Sequence, residues 1–311
     1  MKKFLLTSTL LVASAGMAAA DVKVSGYGRF GLDYYSGVGA GFRKSIINAR
    51  LRMNIDGSVE TDSGVKFGGR FRLQWDEGSA TGGLNAGMMY ASYEGMRLEV
   101  GNANTAYDSA ALMYNSEIGY LDRGAGDPSG SYFAYSSGAL ATADYMGIFF
   151  SYSVGDLNAR VSYATPDQYV SSLPVGTAEE YGLSMDYKFG AITVSAAAAW
   201  NGAGIDGNDL WFLGAEYAIN PNANAGLLYF DNGDGGVPGA GNRTITLYGN
   251  YTMGAITYKG YIANNDAAGN LSDTAFGLGI DYDLGGARLA GDIHRDYAEE
   301  TVAGVGVRFD F

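Results

Sequence analysis

Polar and apolar side chains alternate at every second position from one end of this chain to the other, in segments separated by connections of two sorted lengths. In "NARLRMNID", Asn48, Arg50, Arg52, Asn54 and Asp56 fall on one side, with Ala49, Leu51, Met53 and Ile55 on the other. "KFGGRFRLQWD" repeats the pattern, with Lys66, Arg70, Arg72, Gln74 and Asp76 set against Phe67, Phe71, Leu73 and Trp75. A period of two marks strands with unlike faces. Strands are expected near 22–35, 43–60, 65–76, 85–94, 96–102, 144–154, 157–165, 178–189, 191–200, 210–219, 223–231, 243–253, 255–264, 273–284, 287–297 and 299–311. That makes about sixteen, each close to the 9–11 residues that carry a tilted strand across a bilayer.

The connections carry as much information as the strands. Short turns such as "EGM" at 94–96, "VGDL" at 154–157 and "MGAI" at 253–256 alternate with longer segments rich in Gly, Asn and Asp, such as "DNGDGGVPGAGN" at 231–242. Sorting by length gives an even strand count with both chain ends on the short-turn side. That is the layout of a membrane barrel with short turns at one rim and long loops at the other. Sixteen strands enclose a lumen too wide for side chains to fill, so an apolar interior would be a void. The apolar face must therefore meet lipid and the polar face a water-filled channel. Closure also removes the open sheet edges that lipid cannot satisfy. In the last strand, Val302, Val305, Val307, Phe309 and Phe311 are expected on one face, with Arg308 and Asp310 on the other. Tyr34, Tyr35, Trp75, Tyr90, Tyr93, Trp200, Trp211, Tyr229 and Phe230 lie near strand ends, where aromatic girdles would sit.

Ahead of the first strand, Lys2 and Lys3 precede an apolar run from Phe4 to Ala15. Ala18-Ala19-Ala20 then supplies a small-residue cleavage site, predicting a signal peptide over 1–20 cut between Ala20 and Asp21. Its removal leaves eighteen basic against thirty-three acidic side chains, a net charge of −15, which argues against nucleic acid as a partner. An exported chain with no cysteine is held without disulfides. Its 48 glycines and 24 tyrosines beside 5 prolines suit an all-β chain rather than a disordered one. The rest, 21–311, is expected to be a single transmembrane antiparallel β-barrel domain, all-β, of about sixteen strands.

One connection stands apart. Residues 102–143 read "NANTAYDSAALMYNSEIGYLDRGAGDPSGSYFAYSSGALATA", longer than an unstructured connection in a compact domain usually runs. The stretch carries Asp108, Glu117, Asp122 and Asp127 with Arg123 as its only base, and "YDSAALMY" can form a short helical turn that packs Leu112 and Met113.

"RLEVGNANTAYDSAALMYNSEIGYLDRG", "FFSYSVGDLNARVSYATPD" and the terminal "GVGVRFDF" resemble the diffusion porins of the Rhodobacter type, and the similarity extends over essentially everything after Asp21. The resemblance implies a sixteen-stranded barrel in the outer membrane of a Gram-negative bacterium, in contact with lipid and lipopolysaccharide and assembled as a homotrimer. It implies that the long third loop folds into the lumen with its acids facing a basic cluster on the wall, and that Phe311 is the terminal residue used in assembly. The first few strands and the last are the trimer contact it implies. The "PEFGG" loop motif of enterobacterial porins is missing, so their loop conformation does not carry over.

On this reading Arg29, Arg50, Arg52, Lys66, Arg70, Arg72 and Arg97 form the basic wall of a pore constriction, and Asp108, Glu117, Asp122 and Asp127 form its acidic loop. Like charges side by side on a sheet are destabilising, and opposed acids relieve them. The expected function is passive diffusion of small hydrophilic solutes and ions with a mild cation preference. A substrate-specific channel is the rival, with Tyr107, Tyr114 and Tyr120 as its aromatic track. No cofactor is required. "GIDGND" and "DNGDG" carry oxygen ligands of the kind calcium takes, although turn chemistry accounts for such stretches more often. No enzymatic activity is expected: His294, the only histidine, shares the face of Asp292 near a strand end with no catalytic partner.

Overall fold

A single sheet of seventeen strand segments closes on itself in the computed structural model, which describes residues 20–138, 145–237 and 239–311. The segments are β1 (Asp21–Tyr35), β2 (Ser45–Glu60), β3 (Lys66–Asp76), β4 (Gly83–Leu84), β5 (Met88–Tyr93), β6 (Met96–Gly101), β7 (Met146–Val154), β8 (Leu157–Thr165) and β9 (Glu180–Phe189). They continue as β10 (Ile192–Trp200), β11 (Leu210–Asn220), β12 (Ala223–Asp231), β13 (Arg243–Met253), β14 (Ile256–Asn265), β15 (Thr274–Asp283), β16 (Ala287–Arg295) and β17 (Thr301–Asp310). Every pair is antiparallel and joins consecutive strands, except that β3 also pairs with β5 and β1 with β17, the latter from Tyr27 opposite Asp310 to Tyr35 opposite Val302. β4 and β5 both pair with β3 and form one stave broken at Asn85, so the barrel has sixteen staves. At the break, Asn85 accepts from the Arg72 N–H through Oδ1 at 2.6 Å and donates its own N–H to the Arg72 carbonyl at 2.9 Å. Both backbone groups of Arg72 thus stay paired across the interruption.

The expected strands 157–165, 223–231 and 243–253 coincide with β8, β12 and β13. Short turns gather at one rim. Between β5 and β6, Glu94 and Gly95 both take positive φ, +43° and +82°, as a two-residue hairpin loop requires. Residues 1–19, which carry the expected signal peptide, lie outside the described residues, as do 139–144 at the end of the long loop.

The faces divide as alternation requires. Leu213, Leu227, Leu247 and Ile262 are half or more exposed on the outer wall, while Phe212, Leu228, Thr246 and Tyr261 point inward and are buried. Two expectations are corrected by the same period of two. Val302 pairs with Tyr35 and points inward with Gly304 and Arg308, so it leaves the outward row of Val305, Val307 and Phe309. Of the expected girdle residues, Tyr34, Trp75, Tyr93 and Trp211 do face outward. Tyr35 and Tyr90 instead meet arginines in the lumen, and Phe230 is buried against the loop. Adjacent aromatics on a strand cannot share a girdle.

Candidate pore constriction

The long loop leaves β6 at Asn102 and runs inside the barrel. Its first limb is a chain of tight turns: Ala110 donates to Tyr107, Met113 to Ala110, Asn115 to Leu112 and Glu117 to Tyr114, each backbone bond being 3.2 Å. Leu112 and Met113 are buried as expected, together with Tyr107 and Ile118, against Ala197, Leu210, Phe212, Leu228 and Phe230. The inner wall of β10–β14 is therefore apolar where the loop covers it, a local exception to a polar lumen. Burying such surface is worth about 25 cal/mol per Å², which fixes this limb to that side of the barrel.

The loop lies close because the wall beneath it lacks side chains. A Cβ on Gly277 or Gly279 of β15 would stand 2.7 or 2.8 Å from Ile118. One on Gly31 of β1 or Gly306 of β17 would stand 2.6 Å from the Tyr120 ring. Glycine inside a strand weakens it, and is kept where another chain segment must approach closely.

At the tip, Ile118 and Arg123 pair as a small antiparallel bridge around a turn. Tyr120 donates its hydroxyl to Asp33 Oδ2 at 2.7 Å, and the Leu121 carbonyl accepts from Arg29 Nη1 at 3.0 Å. Asp122 is ion-paired to both Arg288 and Arg308. The returning limb is held by Thr246, which donates to the Gly126 carbonyl at 2.8 Å, and by Glu180 Oε2, which accepts from the Phe133 N–H at 2.7 Å. It reaches β3 where Ser137 accepts from Arg72 Nη1 at 2.7 Å. The loop thus touches the basic wall at its tip, on Arg29 of β1, and on its returning limb, on Arg72 of β3, and Arg50 and Arg52 on β2 line the gap between them.

Arg52 donates from Nε to Gln74 at 2.7 Å and stacks over the Tyr27 ring at 4.9 Å. Arg72 donates from Nε to Asn54 at 2.8 Å and stacks over Tyr135 at 4.4 Å. With Arg70 they share a recess of about 460 Å³ with Asp108 and Glu99. Arg50 is paired with Asp76, and Arg70 with Asp56 at 2.8 Å. Both pairs sit directly opposite in the β2–β3 register, so the wall relieves part of its own crowding before the loop contributes.

Lys66 and Arg97 lie elsewhere. Both line a recess beside the Glu94–Gly95 turn, and Arg97 is occupied by Glu99 at 2.6 Å and by the Tyr90 ring at 3.8 Å. Lys66 and Arg72 are six positions apart on one strand, about 20 Å, which puts Lys66 at the short-turn mouth rather than at the loop.

Among the loop acids, Asp122 meets the arginines directly. Asp108 accepts from the Tyr114 hydroxyl at 2.6 Å, and burial lifts its carboxyl above the usual range. Burial, reinforced by the charges of Asp127 and Asp122, pushes Glu117 up to about 9. Burial likewise takes Asp127 to about 7, against the opposing hydrogen bond from Ser116. At neutral pH Glu117 is uncharged and Asp127 is divided between its two forms.

Tyr107 and Tyr120 are fully buried beneath the loop, so neither offers a ring to a passing solute. His294 is buried with Nδ1 3.5 Å from Asp292. Phe311 exchanges two backbone hydrogen bonds with Gly26, at 2.8 and 3.0 Å, and extends the seam by one residue. In the "GIDGND" and "DNGDG" loops, Asp209 and Asp234 accept from the backbone N–H groups of Asn201 and Gly236. Among the described residues no three His, Cys, Asp or Glu side chains converge as a metal site. Sequence reasoning missed Arg288 and Arg308 as partners of Asp122. Arg308 was visible on the polar face of the last strand, and Arg288 lies directly opposite it in the β16–β17 register.

The family described as Gram-negative porin matches residues 7–300. The chain is 44% identical over 297 residues to a porin of Fuscovulum blasticum, covering 94% of this chain and all of that one. It is 28% identical over 329 residues to a porin of Rhodobacter capsulatus, again covering 94% of this chain and all of the other. A solved structure of a mutant Rh. blastica porin superposes with a TM-score of 0.88 at 43% identity, covering 94% of this chain and all of that chain.

Proposed function

This chain belongs to the Gram-negative porin family, and from that membership we propose that it admits small hydrophilic solutes and ions through one water-filled eyelet per barrel in the outer membrane. The observation that carries the reading is the double contact of the loop with the wall, Leu121 on Arg29 and Ser137 on Arg72. Between those contacts the passage is bounded by arginines on one side and by a loop bearing Asp108 and Asp122 on the other. Opposed charges across a narrow gap order water and turn dipolar solutes to align with them, while rings of charge tune which ions pass. Apolar solutes are slowed because they displace that water and return no hydrogen bonds. A mild cation preference follows from the acidic excess of the chain. The barrel works as a homotrimer seated in lipid and lipopolysaccharide, with the outward faces of the first strands and the last as its contact.

Single-channel current of the refolded protein in a planar bilayer under a salt gradient tests this. Large ohmic steps that close in threes are expected, with a reversal potential of cation-selective sign. Small steps blocked by one solute class would transfer the reading to a substrate-specific channel.

A further inference from the structure

The loop tip ends in a guanidinium that is mostly covered. Arg123 closes the turn that begins at Ile118, in which Gly119 and Asp122 take φ of +72° and +51°. Its Nε lies 3.0 Å from Asp292 Oδ2 on β16, and its Nη2 lies 3.0 Å from Asp33 Oδ1 on β1. Both carboxylates have no exposed surface, and the Arg123 side chain is 16% exposed. Tyr35 on β1 adds its hydroxyl as an acceptor from Nη1 at 3.4 Å. One side chain thus bridges two staves that do not pair with each other, passing over β17 between them. β17 makes room with Gly304, where a Cβ would stand 2.5 Å from both Arg123 Nη2 and Asp33 Oδ1.

We propose that Arg123 is a positioning residue for the eyelet, a clamp that holds the loop tip on the wall and so fixes Leu121 against Arg29 and Asp122 between Arg288 and Arg308. A guanidinium suits the task because its planar fork reaches two carboxylates at once, as a lysine ammonium does not. Its loss takes the countercharge from Asp33 and leaves Asp292 beside His294, with both carboxylates buried, an unfavourable state. The first limb of the loop remains anchored by its apolar cluster, so movement is confined to the tip. With β1, β16 and β17 behind it, a released tip moves toward the passage.

The inference rests on the channel reading, and one experiment separates the two. In planar bilayers R123M is expected to raise the frequency of brief closures roughly twofold or more, because the uncompensated carboxylates expel the tip. Its reversal potential should also move, as Asp122 leaves its partners. Once the tip lifts, water reaches both carboxylates, so the temperature at which the folded barrel converts to unfolded chain on a gel should stay at the wild-type value. Quiet R123M traces overturn the clamp, and so does flicker accompanied by a lowered conversion temperature, which would mark general destabilisation. G304A keeps every charge and only occupies the space between Nη2 and Asp33 Oδ1, so it should flicker as well. Quiet G304A traces overturn the clamp even if R123M fails to fold. Wild-type protein without steps would instead defeat the channel reading.

Discussion

Ser137 accepts a hydrogen bond from Arg72 at 2.7 Å, so the loop that narrows this barrel ends on the wall it faces. Arg72 also stacks on Tyr135 two residues earlier in the same limb. Among the described residues neither Arg72 nor Arg52, its neighbour across the recess, is paired with a carboxylate, whereas Arg50 and Arg70 are. The unneutralised positive charge of the recess is therefore concentrated on Arg52 and Arg72.

Replacing both by glutamine should move the reversal potential in a salt gradient toward that of a more cation-selective pore, changing the permeability ratio roughly twofold or more. The same change at Arg50 alone should do less, since it removes one positive charge rather than two. Reversal potentials of the two variants in the same salt distinguish them.

Selectivity should also depend on pH through the buried loop acids. Their carboxyls titrate above the ordinary range, at about 7 for Asp127 and about 9 for Glu117, so the docked loop binds more protons than a freed one. By linkage the contribution of these two groups to its stability is greatest in acid and falls as pH climbs from the ordinary carboxyl range through about 7 and then about 9. Over the same range two negative charges enter the lumen, and cation preference should rise in two steps. E117Q should abolish the upper step, which reversal potentials recorded from pH 5 to about 10 would show.

The glycine bed gives a prediction about packing. G277V places methyl groups where Ile118 and Tyr261 already lie, and overpacking of this kind costs about 1–3 kcal/mol. The loop should lift from β15, lowering single-channel conductance while the outer wall keeps its fold. An unchanged conductance would mean that the loop repacks around the new side chain.

The outer face tolerates the opposite of what the lumen does. Leu247, near the middle of β13 and 54% exposed on the outer wall, should cost about 2–4 kcal/mol when changed to arginine. Asn250, three positions on and facing the lumen, should accept arginine with little loss. Folding titrations into lipid vesicles compare the two directly.

Alternation made the face of a side chain readable from sequence but not its height. That is why Arg50, Arg52, Arg70 and Arg72 were placed in the lumen together with Lys66 and Arg97, although the last two lie at the short-turn mouth. Height depends on how far each strand is staggered against its neighbour, a property of the closed ring that no single segment encodes. Arg123 was visible as the only base in the loop, and Asp33 and Asp292 as inward acids. Their convergence required the tip to reach the far side of the barrel, where β1 and β16 flank β17. The lumen-facing glycines Gly277, Gly279, Gly304 and Gly306 did carry a signal, since glycine repeated on one face of a strand marks a surface another segment lies against.

The seam between β1 and β17 also sets an order of assembly. Every other pairing joins neighbouring staves of the sequence, whereas this one unites the two ends of the barrel sequence. Contacts of such separation meet the largest loop-closure cost and form late. The berth of the loop tip straddles that seam, with Tyr120 over Gly31 and Gly306 and Arg123 between Asp33 and Asp292. The berth does not exist until the last strand has been laid beside the first. A half-built barrel therefore has a wide, unguarded mouth, and the aperture acquires its final size only after Phe311 has been zipped onto Gly26.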